Sequence, residues 1–361
     1  MNTHAPVSQA AAKQRAGRAG RQKPGVCYRL YTEDTFAGLA PTSSAEVHRV
    51  SLAGVVLSLK ALGVDDVLRF DFVTPPSRAA LAAALEQLLA LGALGRRGEL
   101  SPLGRTMAAL PLAPTHARAL VAAPEHGCLP EMLTLIAILS VDGALFFAPH
   151  AQRDAAAEAK RQFLHAQGDT LTLLNAVTSF AATCRRGGSR GGAGAEGAAA
   201  GAGGAGGGVA EVRAWCEAHF VSRRSLESAL QIRQQLAEAA GRLRLGATPE
   251  LEIVGGGAAS AAGDAGVQRV DADRARRVRR CLTSAFFMQA AERQPSGEYL
   301  ALSSRQAVGI HPSSVLFSRR VSCVLFNELL FTTRLYMREV TQIEREWLPE
   351  LAPQYFGTQG T

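Results

Sequence analysis

Near the start of the chain, Val47, Val50, Leu52, Val55, Val56, Leu59 and Leu62 recur close to a 3.6-residue period. The pattern predicts a helix over 46–62, ended by Gly63 as its C-terminal cap. A second helix is predicted over 78–91, with Ser77 as N-cap. Residues 95–100 read as a tight turn into a short strand, and Pro102 suits the first position of a third helix. Helix, helix, small hairpin and helix make a winged-helix arrangement. Residues 115–245 read mostly as helix. Within them 131–139 is nearly all apolar, and Leu226, Leu230, Arg233, Leu236, Ala240 and Leu243 mark a long amphipathic helix. From Cys281 onward the texture changes. The short apolar-rich runs 299–302, 307–310, 323–329 and 335–340, separated by turn residues, predict a small β-barrel. At the other end, a helix-like Arg/Gly/Ala stretch over 11–22 leads into an alternating strand over 25–31. One strand and half a helix do not make a domain, so this reads as the last part of a sheet without its neighbours. The Gly/Ala-rich stretches 187–208 and 255–266 read as flexible insertions, the second within a flexible segment over 246–268.

The chain has 361 residues, 47% of them hydrophobic, enough for two or three packed domains. Its formal net charge of +8 favours a polyanionic partner, either nucleic acid or an anionic membrane surface. The six cysteines form no CxxC pair, so neither a zinc site nor a dithiol redox motif is expected, and no metal ligand is assigned. The first 22 residues are polar and lack the apolar core of a secretory signal. No apolar run is long enough to span a membrane. The expectation is a soluble intracellular protein with reduced thiols and no membrane partner.

The sharpest chemical signal is QRAGRAGR at 14–21. On a helix, Arg15, Arg18 and Arg21 would lie along one side, with glycines that let a ligand approach the backbone. Nucleoside triphosphate hydrolysis needs cations aimed at the γ-phosphate, where negative charge moves in the transition state. Arginine, always charged and rigidly forked, suits that task. Spacing alone fits a solvated basic tail equally well.

The string QRAGRAGR resembles motif VI of superfamily 2 helicases in its DEAH-box form. GVCYRLYTEDTF is similar to the strand after that motif, and RVSLAGVVLSLKALGVDDVLRFDFVTPP to the family's winged-helix domain. ALEQLLALGAL and LSPLGRTMAALPLAP are similar to its next segments, and QGDTLTLLNAV to a stretch of its ratchet domain. SSRQAVGIHPSSVLF and LLFTTRLYMREVTQIEREWLPELAP resemble its C-terminal OB-fold. The resemblance covers residues 6–355 without the two insertions, and is close to the subgroup linked to pre-mRNA splicing. It implies an α+β multidomain chain, mainly α. The expected parts are a remnant of the second RecA-like α/β domain over 1–40, a winged helix over 41–110, a helical ratchet domain over 111–245 and an OB-fold β-barrel over 246–361.

By the same resemblance, Gln14 contacts the γ-phosphate and Arg18 and Arg21 are arginine fingers, while Arg15 matches a position concerned with coupling inside the core. Arg305, His311, Arg334 and Arg338 match basic positions of the OB motifs. RNA contacts are assigned to Arg305, Arg334 and Arg338, and His311, which precedes Pro312, reads as structural. The implied cofactors are ATP and Mg²⁺. The implied partners are single-stranded RNA, spliceosomal or other ribonucleoprotein proteins and a G-patch-type activator, in the nucleus.

The chain departs from the family by what it lacks. It contains no Gly-Lys-Ser/Thr phosphate loop and no Asp-Glu-Ala-His motif. The expectation is that this chain alone does not hydrolyse ATP, because arginine fingers only assist a site assembled elsewhere. The alternative is a truncated, non-catalytic RNA-binding or partner-binding module. Thr170 stands where the family usually has His. The five arginines within 274–280 read as mostly solvated, and Trp215 and Trp347 as core. A DNA-binding transcription factor would place basic residues on its recognition helix. Here the 78–91 helix is mainly Ala and Leu, a packing element.

Overall fold

The computed structural model describes residues 7–43, 45–48, 50–190, 206–246 and 269–357, and divides into two units, Met1–Gly104 and Arg105–Thr361. In the first, α1 (Gln9–Ala16) is capped by the Ser8 hydroxyl, which accepts from the Ala11 amide at 3.1 Å. Gln9 Nε2 ties the helix to the carbonyls of Ala37 and Leu39, each at 3.1 Å. The helix ends at Gly17, so Arg15 lies on it while Arg18 falls in the next turn and Arg21 in a bend. The expected one-sided row of three arginines does not form, because Gly17 and Gly20 are poor helix formers just where the helix would have to continue.

Residues 25–31 form no strand. Val26, Tyr28 and Leu30 are 73%, 87% and 101% exposed. A strand needs a neighbour for its backbone hydrogen bonds, and the described residues of this unit offer none. Next, α2 (Glu33–Ala37) starts on Thr32, whose hydroxyl accepts from the Thr35 amide at 3.1 Å. The helix predicted over 46–62 splits into a 3-10 turn, Glu46–His48, and α3 (Ala53–Ala61). Leu52, Val56 and Leu57 are buried, and Gly63, at φ +90°, ends the helix as expected. α4 (Arg78–Ala90) is capped by Ser77 and packs on α3 with Leu81, Ala84 and Leu88 buried. A bridge between Leu94 and Leu100 closes a small wing before α5 (Pro102–Ala108).

In the second unit, α6 (Pro114–Ala122) precedes α7 (Leu129–Leu139), which is buried from Met132 to Ile138. After α8 (Arg153–Arg161) come α9 (Asp169–Arg190), α10 (Gly206–Ala218) and α11 (Arg223–Arg242). α7 packs against α9 and α11, and α10 runs along α9. Of the first Gly/Ala stretch, 187–190 continue α9 and 206–208 begin α10. Extending a formed helix costs far less than starting one. Residues 191–205 and 247–268, where most of the expected flexibility fell, lie outside the described residues. α12 (Ala272–Phe286) packs on α6.

The sheet that follows has seven strands: β1 (Ala290–Arg293), β2 (Tyr299–Ala301), β3 (Ala307–Ile310), β4 (Cys323–Leu325), β5 (Glu328–Phe331), β6 (Leu335–Arg338) and β7 (Thr341–Ile343). Their order is β5-β6-β3-β2-β1-β4-β7, with β3 and β6 parallel. The sheet is open, where a closed barrel was expected. The outer side of β7 is met instead by the segment leading into α9: Gln342 donates to the Gln167 carbonyl at 2.8 Å and the Asp169 amide to the Val340 carbonyl at 2.7 Å. The run 323–329 is two strands, broken at Phe326 and Asn327, and β6 stops before Glu339, which takes φ +53°. Tyr299, Val308, Ile310, Leu316, Val324 and Met337 form the core under one face. α13 (Trp347–Leu351) and α14 (Pro353–Phe356) follow. Among the described residues, no helix is long and apolar enough to cross a membrane.

Candidate functional site

Side chains alternate across a strand. On β6, Leu335 and Met337 turn toward the core, so Arg334, Tyr336 and Arg338 share the outer face. The parallel partner β3 buries Val308 and Ile310, leaving Gly309 opposite Tyr336 and His311 beside it. The result is a cation–aromatic–cation row on the surface of the sheet. The Arg334 guanidinium lies 4.9 Å from the Tyr336 ring centroid, and the His311 ring meets Tyr336 edge-on at 5.7 Å. Arg338, across from Glu328 on β5, forms an ion pair with it at 3.6 Å. His311 Nδ1 accepts the Ser313 amide at 3.2 Å and lies 2.7 Å from the Ser313 hydroxyl. Partial burial lowers the His311 pKa, Arg338 lowers it further and Asp169 opposes both. These bonds hold the His311 ring to its own turn.

Arg305 is exposed in the β2–β3 turn at φ +55°. It and Arg334 precede the two parallel strands, at the same end of the sheet, whereas Arg338 closes β6 at the other end. Sequence reasoning named the three arginines but missed Tyr336 and Gly309. The signal was present in the two-residue period of 334, 336 and 338.

Gln14, Arg18 and Arg21 are exposed, and none makes an ion pair or side-chain hydrogen bond with another described residue. Their donors suit phosphate oxygens. Nothing beside them suits Mg²⁺: the stretch holds no carboxylate, and no cluster of three or more His, Cys, Asp or Glu occurs among the described residues.

The arginines of α12 are mostly not solvated. Only Arg276 among the five is exposed. Arg274 lies 3.8 Å from Glu131, Arg277 donates to the Gly127 carbonyl at 3.2 Å, and Arg280 pairs with Glu350. Arg279 is buried, donates to the Gln342 carbonyl at 3.2 Å and covers the Trp347 ring at 4.9 Å. The expectation failed because both flanks of α12 are covered, by α6 on one side and by β7 and α13 on the other. Trp347 is core, and Trp215 packs between Phe163 and Phe180, each at 5.9 Å. Burial pushes the Cys216 thiol up to about 11 and the Cys323 thiol up to about 12. Neither is a thiolate nucleophile near neutral pH.

The QGDTLTLLN stretch joins the helices to the sheet. The Asp169 carboxylate accepts from the amides of Val315 at 2.8 Å and Val340 at 2.9 Å. Thr170 lies 2.6 Å from the Thr341 hydroxyl. Asn175, fully buried, donates to the Phe163 carbonyl and accepts from the Val270 amide, each at 2.9 Å.

Three family models match in the order of these elements. They are a helicase-associated winged-helix domain over 84–112, a helicase-associated ratchet-like domain over 113–173, and an oligonucleotide/oligosaccharide-binding fold over 278–355. The chain is 38% identical to the pre-mRNA-splicing factor ATP-dependent RNA helicase DEAH10 of Arabidopsis thaliana over 354 residues, 98% of this chain and 45% of the relative. It is 36% identical to the ATP-dependent RNA helicase DHX33 of Homo sapiens over 353 residues, 97% of this chain and 43% of the relative. The chain therefore spans less than half the length of the curated relatives it matches.

Proposed function

We propose, from the premise that this chain belongs to the DEAH-box helicases and corresponds to their C-terminal portion, that it is the RNA-gripping part of an ATP-dependent RNA helicase. The observation that carries the RNA-gripping role is the row of Arg334, Tyr336 and Arg338 on the outer face of an oligonucleotide-binding fold. Cations neutralise phosphates and an aromatic ring offers a stacking surface, the combination that single-stranded nucleic acid requires. Arg305 lies at the same end of the sheet as Arg334 and extends the basic surface there. The splicing relative supports a role in pre-mRNA splicing and with it a nuclear site, and ribonucleoprotein partners with a G-patch-type activator belong to this reading through the sequence resemblance alone.

Within the complete helicase, Gln14, Arg18 and Arg21 serve the nucleotide. Gln14 meets the γ-phosphate, and the two arginines stabilise charge as it develops there. ATP and Mg²⁺ are the cofactors of that larger protein, and Mg²⁺ is held by residues that this stretch does not contain. The second reading is a non-catalytic RNA- or partner-binding module, a task that the row of Arg334, Tyr336 and Arg338 could serve without ATP turnover.

The test is binding of the chain to a labelled single-stranded RNA, followed by anisotropy across a salt series. With Arg334→Ala and Arg338→Ala combined, affinity falls and the slope of log K against log salt becomes shallower by about 0.7 for each of the two that contacts a phosphate. An unchanged affinity and slope would remove both residues from the interface.

A further inference from the structure

We propose that Arg334 is a planar stacking platform for an unpaired RNA base, not a clamp for phosphate. The proposal rests on the RNA-binding reading above and assigns one residue its mode of contact.

Three observations carry it. First, the guanidinium lies over the Tyr336 ring, 4.9 Å from its centroid. Second, it also covers Gly309, the residue paired with Tyr336 across β3 and β6. A Cβ placed on Gly309 would lie 3.4 Å from Cζ, Nε and Nη2 of Arg334 alike. Equal distances to three atoms of one plane mean that the plane lies flat over that position. Third, Arg334 is exposed and makes no ion pair among the described residues, so the other side of the plane is open.

A guanidinium holding phosphate presents its N–H edge outward, because its hydrogen bonds lie in its plane. Laid flat, Arg334 directs those edges along the sheet and its face away from it. That face is weakly hydrated, and RNA-binding proteins stack unpaired bases on such planes. Gly309 leaves room for the posture, since an alanine Cβ would only touch the plane at ordinary contact distance while atoms beyond Cβ would lift the guanidinium off the sheet. Arg338 on the same strand behaves differently, paired at 3.6 Å with Glu328. The two arginines thus divide the work: Arg334 meets the base and Arg338 the backbone. The occupant is a nucleobase because the chain is basic, the fold model is an oligonucleotide- or oligosaccharide-binding one, and the neighbouring ring is aromatic. A sugar ring is the competing occupant.

The experiment compares two labelled probes on the full chain by anisotropy at fixed salt: an eight-residue oligoadenylate and the same backbone with abasic riboses. Arg334→Lys keeps the charge and loses the plane. It is expected to weaken oligoadenylate binding about tenfold, the scale of one lost stacked base, and to leave the abasic probe unaffected. Gly309→Val, with its thermal midpoint checked against wild type, is expected to show the same split. Equal binding of both probes by wild type and Arg334→Lys would reduce Arg334 to a point charge and overturn the proposal. An equal loss on both probes would make it a phosphate fork and overturn it as well. A wild-type chain that binds an oligosaccharide but neither RNA probe would overturn the RNA-binding reading itself.

Discussion

Arg233 is a charged residue on the apolar stripe of α11, 8% exposed, with its Nε donating to the Thr134 hydroxyl at 2.9 Å. Its Nη2 is buried without a partner among the described residues, and burial lowers its pKa with no acid opposing. A buried cation without a counter-charge loses hydration that one hydroxyl does not replace. Arg233→Met, of similar length, is therefore expected to leave stability unchanged or raise it by about 1 kcal/mol, measured as the urea midpoint. A loss of more than about 2 kcal/mol would show that the guanidinium is satisfied in solution. The helical period alone placed Arg233 on the buried side. It could not give Thr134, 99 residues away on α7. Gly309 was equally silent in the sequence, because its value lies in the space it leaves for a residue on another strand.

Among the elements, those whose signal is local were legible: the Ser77 cap, the Gly63 stop, the buried run of α7 and the amphipathic α11. Elements defined by a partner were not. β1 and β7 sit in sequence without clear alternation, and pairing with β4 from both sides makes them strands. Residues 25–31 alternate well and form nothing, for want of a neighbour. The least legible element is the junction before α9. Gly168 takes φ +138°, and a Cβ there would run into the Val340 carbonyl. Asp169 then accepts two amides from the sheet. Gly168→Ala is expected to destabilise the chain by about 2–3 kcal/mol through backbone strain. Asp169→Ala should cost more, about 3–6 kcal/mol before relaxation, at about 1.5–3 kcal/mol for each of two bonds to a charged group. Asp169→Asn keeps one acceptor oxygen and should fall between Asp169→Ala and wild type. Thermal midpoints of the three variants check this order, and wild-type stability in Asp169→Ala would show that the staple carries no load.

At the scale of the whole molecule, the positions legible by resemblance, Gln14, Arg18 and Arg21, stand exposed and unengaged, while the winged-helix, ratchet and OB family models match 84–173 and 278–355. Arginine fingers stabilise charge on a phosphoryl group that something else must hold, and contribute about 10³–10⁵ in rate only on an assembled site. This sequence has no phosphate loop to cradle the β-phosphate and no acidic motif beside its arginines to hold a metal ion. The purified chain is therefore expected to release no phosphate from ATP above the blank, with or without RNA, while still binding RNA. In a helicase holding both RecA-like lobes, Arg18→Ala or Arg21→Ala should lower RNA-stimulated turnover by about a thousandfold or more and leave RNA affinity unchanged. RNA-stimulated turnover by the chain alone would mean that its nucleotide site is complete. Full turnover by the Arg18→Ala and Arg21→Ala variants would mean that neither arginine reaches the phosphate. Measuring both rates with RNA affinity separates a broken nucleotide site from a broken grip, which a turnover rate by itself does not.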